Sequence, residues 1–131
     1  MPASVPVVDR LFTVDVDGSA RLVGGRCNAC GRHQFPRSSQ CPYCGGETED
    51  ALLSPAGTLW AWTAVTAAPP GYRGEVPYGF GVVELPEGLR VLTRLTEADP
   101  ANLRCGQGMR LELVPLHTDD EGREVLTWAF G

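Results

Sequence analysis

From Gly57 onward the chain is written in short alternating runs. Between Gly57 and Thr66, Leu59, Ala61 and Val65 fall on one side and Trp60 and Trp62 on the other, the period of two expected of a half-buried strand. Tyr78–Leu85 and Leu89–Leu95 follow, separated by a turn at Pro86-Glu87-Gly88. Met109, Leu111 and Leu113 then alternate with Arg110 and Glu112 over Met109–Leu116, and a polar turn at Thr118–Gly122 leads into Arg123–Phe130. One helical segment is predicted in this half, a short one over Glu97–Arg104 with Pro100 in its first turn. Near the start, Phe12, Val14 and Val16 alternate with Thr13, Asp15 and Asp17, so a short strand should end at the Asp17-Gly18 turn.

Five strands with one helical interruption between the third and fourth is the order of an OB barrel. Strand counting alone leaves a small sandwich or another barrel open. The expected division is an N-terminal extension over 1–20, a metal-stapled module over 21–50, and the barrel over 51–131.

The middle region follows another logic. Cys27-Asn-Ala-Cys30 and Cys41-Pro-Tyr-Cys44 stand ten residues apart, each followed by glycine (Gly31, Gly45). Two such turns facing each other supply four sulfurs in a tetrahedron, the arrangement of one structural zinc ion with no open position for catalysis. A rubredoxin-like iron site and two disulfides are the alternatives. A segment this small needs the metal, because it cannot bury enough apolar surface by itself.

Charge is divided along the chain. Residues 21–46 carry Arg21, Arg26, Arg32 and Arg37 and no acid, whereas residues 47–131 carry 13 acids against 6 arginines. A nucleic-acid binder normally shows a sustained basic stripe along its body; this body is acidic. No run approaches the ~18 apolar residues of a membrane span. The first residues lack the basic and apolar regions of a signal peptide, so a cytoplasmic protein with reduced thiols is expected. Lysine is absent, and we attach no mechanism to that.

Gly25-Arg-Cys-Asn-Ala-Cys-Gly, Phe35-Pro36-Arg37 and Cys41-Pro-Tyr-Cys-Gly-Gly are followed by Gly57-Thr58, Pro77-Tyr78-Gly79, Glu87-Gly88 and Gly106-Gln-Gly108-Met. Over about residues 21–130 this series resembles the OB-fold, acyl-CoA-associated family with an N-terminal rubredoxin-like zinc ribbon, the domain of unknown function 35 type. The resemblance implies a mainly β fold, one structural zinc on Cys27, Cys30, Cys41 and Cys44, and an accessory role. Members of the family are small partners of thiolase-fold enzymes acting on acyl-CoA thioesters: thiolases, acyltransferases, and the lipid-transfer-protein-like aldolases of steroid side-chain degradation. The family's usual N-terminal helix with a Phe-Trp pair is not evident in residues 1–20.

Candidate chemistry outside the cysteine pairs is sparse. Cys105 reads as a small buried residue, His33 as a ribbon surface residue, and His117 as a solvated neighbour of Asp119-Asp120-Glu121. Ser38-Ser39 has no nucleophile-elbow context, and there is no phosphate loop or dinucleotide fingerprint. The eleven-residue loop Ala67–Pro77 is longer than a usual hairpin connection. It carries Tyr72 and Arg73, with Tyr78 just beyond, and these residue types favour interfaces. Tyr72, Arg73, Tyr78 and Arg37 are therefore the candidate contacts to a partner or ligand. Of Trp60 and Trp62, one is expected at a contact surface, because both together would crowd the core. The leading expectation is a non-catalytic subunit docked on a thiolase-fold acyl-CoA enzyme, with acyl-CoA near the interface and neither nucleic acid nor membrane involved. The alternatives are a single-stranded nucleic-acid-binding protein and a rubredoxin-like electron carrier.

Overall fold

A computed structural model of the chain describes residues 4–6, 11–14 and 19–131. Ten strands run in chain order: β1 (Ser4–Pro6), β2 (Phe12–Val14), β3 (Ala20–Cys27), β4 (His33–Gln34), β5 (Thr48–Leu52), β6 (Ala56–Val65), β7 (Tyr78–Glu84), β8 (Arg90–Leu95), β9 (Gly108–Thr118) and β10 (Glu124–Phe130). The strand expected near the start is present as β2. Val16 and the Asp17-Gly18 turn lie outside the described residues.

Strands β6 to β10 close into a barrel in the order β9-β6-β7-β8-β10, with β10 returning to pair with β9. Closure between β8 and β10 is parallel and brief, at Phe130 opposite Leu95, and the Thr96 N–H adds a bond to the Phe130 carbonyl at 3.0 Å. The mainly β ribbon-plus-OB architecture is therefore the observed one. Alternation decides what goes inside: Val91, Thr93 and Leu95 of β8 are buried, as are Val83 of β7 and Phe130 of β10, since successive side chains of a strand face opposite ways. Leu59, Leu85, Leu103, Met109 and Leu111 complete the packing.

Strand β1 pairs in parallel with the start of β10, Ser4 opposite Glu124 and Pro6 opposite Leu126. It covers the length of the β10 edge that β8 does not reach, removing unpaired backbone groups. The sequence pattern did not suggest this pairing.

Two expectations about local structure are corrected. The helix over Glu97–Arg104 is a single 3-10 turn, Pro100–Asn102, capped by the Asp99 side chain accepting from the Ala101 N–H. Its apolar residues are too few to hold a longer helix, and Leu103 is drawn in extended form into the core instead. Trp60 and Trp62 do not share a face. The register of β6 against β7 slips between Leu59 and Ala61, so Trp60 is the extra residue of a bulge. Trp60 is 50% exposed, whereas Trp62 packs on the core and donates its indole N–H to the Pro100 carbonyl at 3.1 Å.

The ribbon is β3 with β4 and β5 on its two sides, and β2 extends β3 further toward its start. Its base is shared with the barrel. Leu22 and Leu53 are fully buried in the barrel's own cluster, and the Phe35 ring meets Trp128 edge-on at 5.5 Å. At the junction the Ser54 N–H donates to the Glu87 carboxylate of the β7–β8 turn at 2.7 Å.

Candidate metal centre and barrel surface

Each Cys-x-x-Cys forms a tight turn at the end of the ribbon. The Gly31 N–H closes the first on the Cys27 carbonyl at 3.0 Å, and the Gly45 N–H closes the second on the Cys41 carbonyl at 2.9 Å. Both glycines have positive φ, 76° and 77°, where a side chain would be strained. The chain then reverses sharply, and both pairs of sulfurs face one point.

The sulfurs of Cys27, Cys30, Cys41 and Cys44 all lie within 4.8 Å of one another, with Cys27–Cys44 at 3.4 Å and Cys30–Cys41 at 3.7 Å. A tetrahedral zinc with bonds of about 2.3 Å requires sulfur–sulfur edges of roughly 3.8 Å. These are non-bonded distances, and all four cysteines are free thiols, so the paired-disulfide alternative does not describe this site.

Backbone donors tune the sulfurs. Ala29 and Cys30 N–H groups approach Cys27 Sγ at 3.3 and 3.4 Å, and the Tyr43 N–H approaches Cys41 Sγ at 3.4 Å. The Cys30 N–H is the main reason the Cys27 thiol is lowered to about 6. Burial works against Cys41, yet the Tyr43 and Cys44 N–H groups bring its thiol below the ordinary value. The Gly46 N–H pulls Cys44 down, but the surrounding sulfurs of Cys27 and Cys30, together with burial, push it up to about 11. Four thiolates at this spacing repel one another unless a cation sits among them, so the donor set fits one structural zinc ion and leaves no ligand position for a substrate.

Arg37 lies in the ribbon with its guanidinium engaged inside it. It donates to the Thr48 carbonyl at 2.8 Å and the Thr48 hydroxyl at 3.3 Å, and pairs with Asp50 at 3.1 Å. That fixes the segment between the cysteine pairs to β5. Arg32 stacks over Tyr43 at 4.7 Å.

The structure brings Tyr72 and Tyr78 together, with ring centroids 5.2 Å apart. Between them reaches Arg94, a residue the sequence reading did not single out. Its guanidinium sits 4.5 Å from the Tyr78 centroid and donates to the Tyr72 hydroxyl at 2.9 Å. The signal was available: β8 alternates, and Arg90, Leu92 and Arg94 are the positions pointing outward. Arg73 turns away from this group and pairs with Asp120 of the β9–β10 turn at 3.3 Å.

The remaining candidates separate. Cys105 is exposed, which corrects the expectation of burial; it follows the 3-10 turn at a tight reversal, and its thiol faces the Trp60 carbonyl at 3.7 Å. His33 is half-buried in β4. His117 is half-buried in β9, with Nδ1 shielded and without a hydrogen-bond partner among the described residues, so it is less solvated than the neighbouring acidic turn suggested.

The model of the ChsH2 rubredoxin-like zinc ribbon domain matches residues 19–50, and that of the ChsH2 C-terminal OB-fold domain matches residues 51–114. Benzoylsuccinyl-CoA thiolase subunit BbsA of Thauera aromatica is 33% identical over 122 residues, covering 92% of this chain and 83% of that protein. The chain belongs to the ChsH2 (DUF35) family. A DUF35 domain-containing scaffold protein of Pyrococcus furiosus is 37% identical over 95 residues, 72% of this chain and 68% of that protein. Among solved structures, a chain of the Ltp2-ChsH2(DUF35) aldolase matches with a TM-score of 0.64 and 29% identity, over 84% of this chain and 83% of that one. The family's zinc ribbon domain thus includes the four cysteines described above, and its OB-fold domain includes β6, β7, β8 and the first part of β9. No described helix is long and apolar enough to cross a membrane.

Proposed function

We propose that this chain is a non-catalytic accessory subunit that docks on a thiolase-fold acyl-CoA enzyme and supports its activity. One observation carries the reading: the likeness to a thiolase subunit and to a chain of an aldolase complex runs through ribbon and barrel together, over more than four-fifths of the chain. The described chemistry agrees with it. The four-sulfur site is closed, and the Cys105 thiol is directed at the Trp60 carbonyl. Within this reading the favoured partner is a lipid-transfer-protein-like aldolase acting on a sterol side chain, with a thiolase or an acyltransferase next. Acyl-CoA would pass near the shared surface, in the cytoplasm, where five free thiols stay reduced.

The test is co-expression with a thiolase-fold acyl-CoA enzyme of the same organism, followed by size exclusion and an acyl-CoA assay. Co-elution, with turnover lost when this chain is omitted, is the expected outcome. Separate elution and an enzyme fully active alone would overturn the proposal.

A further inference from the structure

The outer face of β6, β7 and β8 inverts what folding requires. Along β8 the polar Thr93 is 1% exposed and the apolar Leu92 is 65% exposed. Single exposed hydrophobic residues need no explanation, but contiguous ones do. Leu92 stands directly opposite Val82 on β7, and Val82 opposite Ala61 on β6. One pair along β7 on the same face is Phe80, 36% exposed, and beside Ala61 the bulge throws Trp60 outward. The result is an apolar stripe across three strands of a closed barrel.

Its two ends are cationic within a region whose charge is otherwise acidic. Arg90 lies over the Trp60 ring at 4.1 Å and is paired with Glu84 at 3.0 Å. Arg94, opposite Phe80, is braced by Tyr72 and Tyr78, and no ion pair to a carboxylate is recorded for it among the described residues. Holding an arginine on an aromatic face in advance lowers the side-chain entropy lost when it meets a partner. The bulged Trp60 is likewise fixed before binding, through the Arg90 stack.

We infer that this stripe is the surface by which the chain docks on its acyl-CoA enzyme, against an apolar patch that presents a carboxylate to Arg94. The inference rests on the accessory reading above. Charge complementarity selects this occupant. A single strand of nucleic acid would need a basic groove following its backbone, and here Arg90 is already neutralised by Glu84. A protein patch with one acidic group matches what is present. A second copy of this chain, dominated by acidic surface but meeting its own Arg94 across a two-fold, matches less well.

The test compares two charge insertions at similarly exposed leucines in the full chain. Leu92→Glu lies in the stripe; Leu52→Glu, at a residue 52% exposed on β5 of the ribbon, lies outside it. Affinity for the thiolase-fold enzyme that co-elutes with the unaltered chain is measured by titration, with the thermal melting of each free variant as the check on folding. Burying an unpaired carboxylate in an apolar interface should weaken binding by more than about tenfold for Leu92→Glu, while Leu52→Glu binds as the unaltered chain does. Both free variants should melt like the parent. If the unaltered chain binds and Leu92→Glu binds equally well, the surface is wrong while the accessory function stands. Loss of binding with Leu52→Glu instead would place the interface on the ribbon and overturn the inference. If no thiolase-fold enzyme co-elutes with the unaltered chain, both readings fail together. Binding of a single-stranded oligonucleotide that Leu92→Glu abolishes would overturn the inference in favour of nucleic acid.

Discussion

The ribbon and the barrel are held by different forces. In the barrel, Leu59, Val83, Val91, Leu95 and Phe130 are each at most 2% exposed, and apolar burial of this kind scales with area removed from water. Between Cys27 and Gly46 the buried side chains are two cysteines and Gln34, while Tyr43 is 59% exposed. That stretch has no apolar core of its own. Its order depends on four sulfurs converging on one point and on the Arg37 hydrogen bonds to β5. The foot of the ribbon is different again, since Leu22 and Leu53 belong to the barrel's cluster. A region can thus be continuous with a hydrophobic core at one end and depend on a metal at the other.

The largest effect should come from removing the metal, by chelation or Cys27→Ser. Structural zinc binding in small peptides is worth on the order of 10 kcal/mol at neutral pH, more than residues 27–46 have from any other source. Hydrogen exchange should then show those amides unprotected while β6 to β10 stay protected. Loss of protection throughout the chain would mean that the barrel is not independent. Acid should act in the same direction, because thiolates must be deprotonated to hold the ion.

Next in size is Phe130→Ala, which empties the barrel centre and the β8–β10 closure at once. A cost of about 3–5 kcal/mol is expected in denaturant unfolding, with the metal still bound in the remaining native fraction. A smaller effect follows from Arg37→Ala. That side chain is 39% exposed and paired with Asp50, so most of its worth is the bond to the Thr48 carbonyl, about 1–2 kcal/mol. Exchange should accelerate between the cysteine pairs, and the barrel should not change.

The smallest effect belongs to the β9–β10 turn. Asp119 accepts N–H bonds from Arg123 and Glu121 and pairs with the Arg123 guanidinium at 2.8 Å. The Arg123 N–H is the chief reason its carboxyl is held below the usual range. A carboxylate with a depressed value stabilises the fold above its unfolded pKa of about 3.9 and loses that contribution as pH falls through the lower folded value. The Glu121 and Arg123 amide signals should therefore shift only below about pH 4. Unchanged amide signals between pH 4 and pH 2 would show that the turn does not depend on this carboxylate.

Much of this arrangement was legible in the residues. The two Cys-x-x-Cys-Gly turns identify the metal site because the geometry is local: four residues and a glycine set where each pair of sulfurs points. The five barrel strands were legible because alternation is local too. What escaped the sequence depends on partners far away in the chain. The bulge at Trp60 arises from register against β7, and a strict period of two therefore put Trp62, which packs on the core, on the same outward side as Trp60. The 3-10 turn was over-read because Pro100 can begin a helix, while the pull of the core on Leu103, which ends it, is tertiary. Cys105 was assigned to the interior by residue type, although the turn carrying it lies at the surface. Arg94 matters only once the 67–77 loop folds back and places Tyr72 against Tyr78, a contact that no spacing rule reveals.

The role proposed for this chain is support of a partner enzyme. Its most direct test is an add-back titration, in which the purified zinc-loaded chain is added to the thiolase-fold enzyme prepared without it while acyl-CoA turnover is followed. Turnover should rise from near zero and saturate at a fixed molar ratio of the two chains. Turnover already complete before any addition, and unchanged after it, would show that the enzyme does not need this chain.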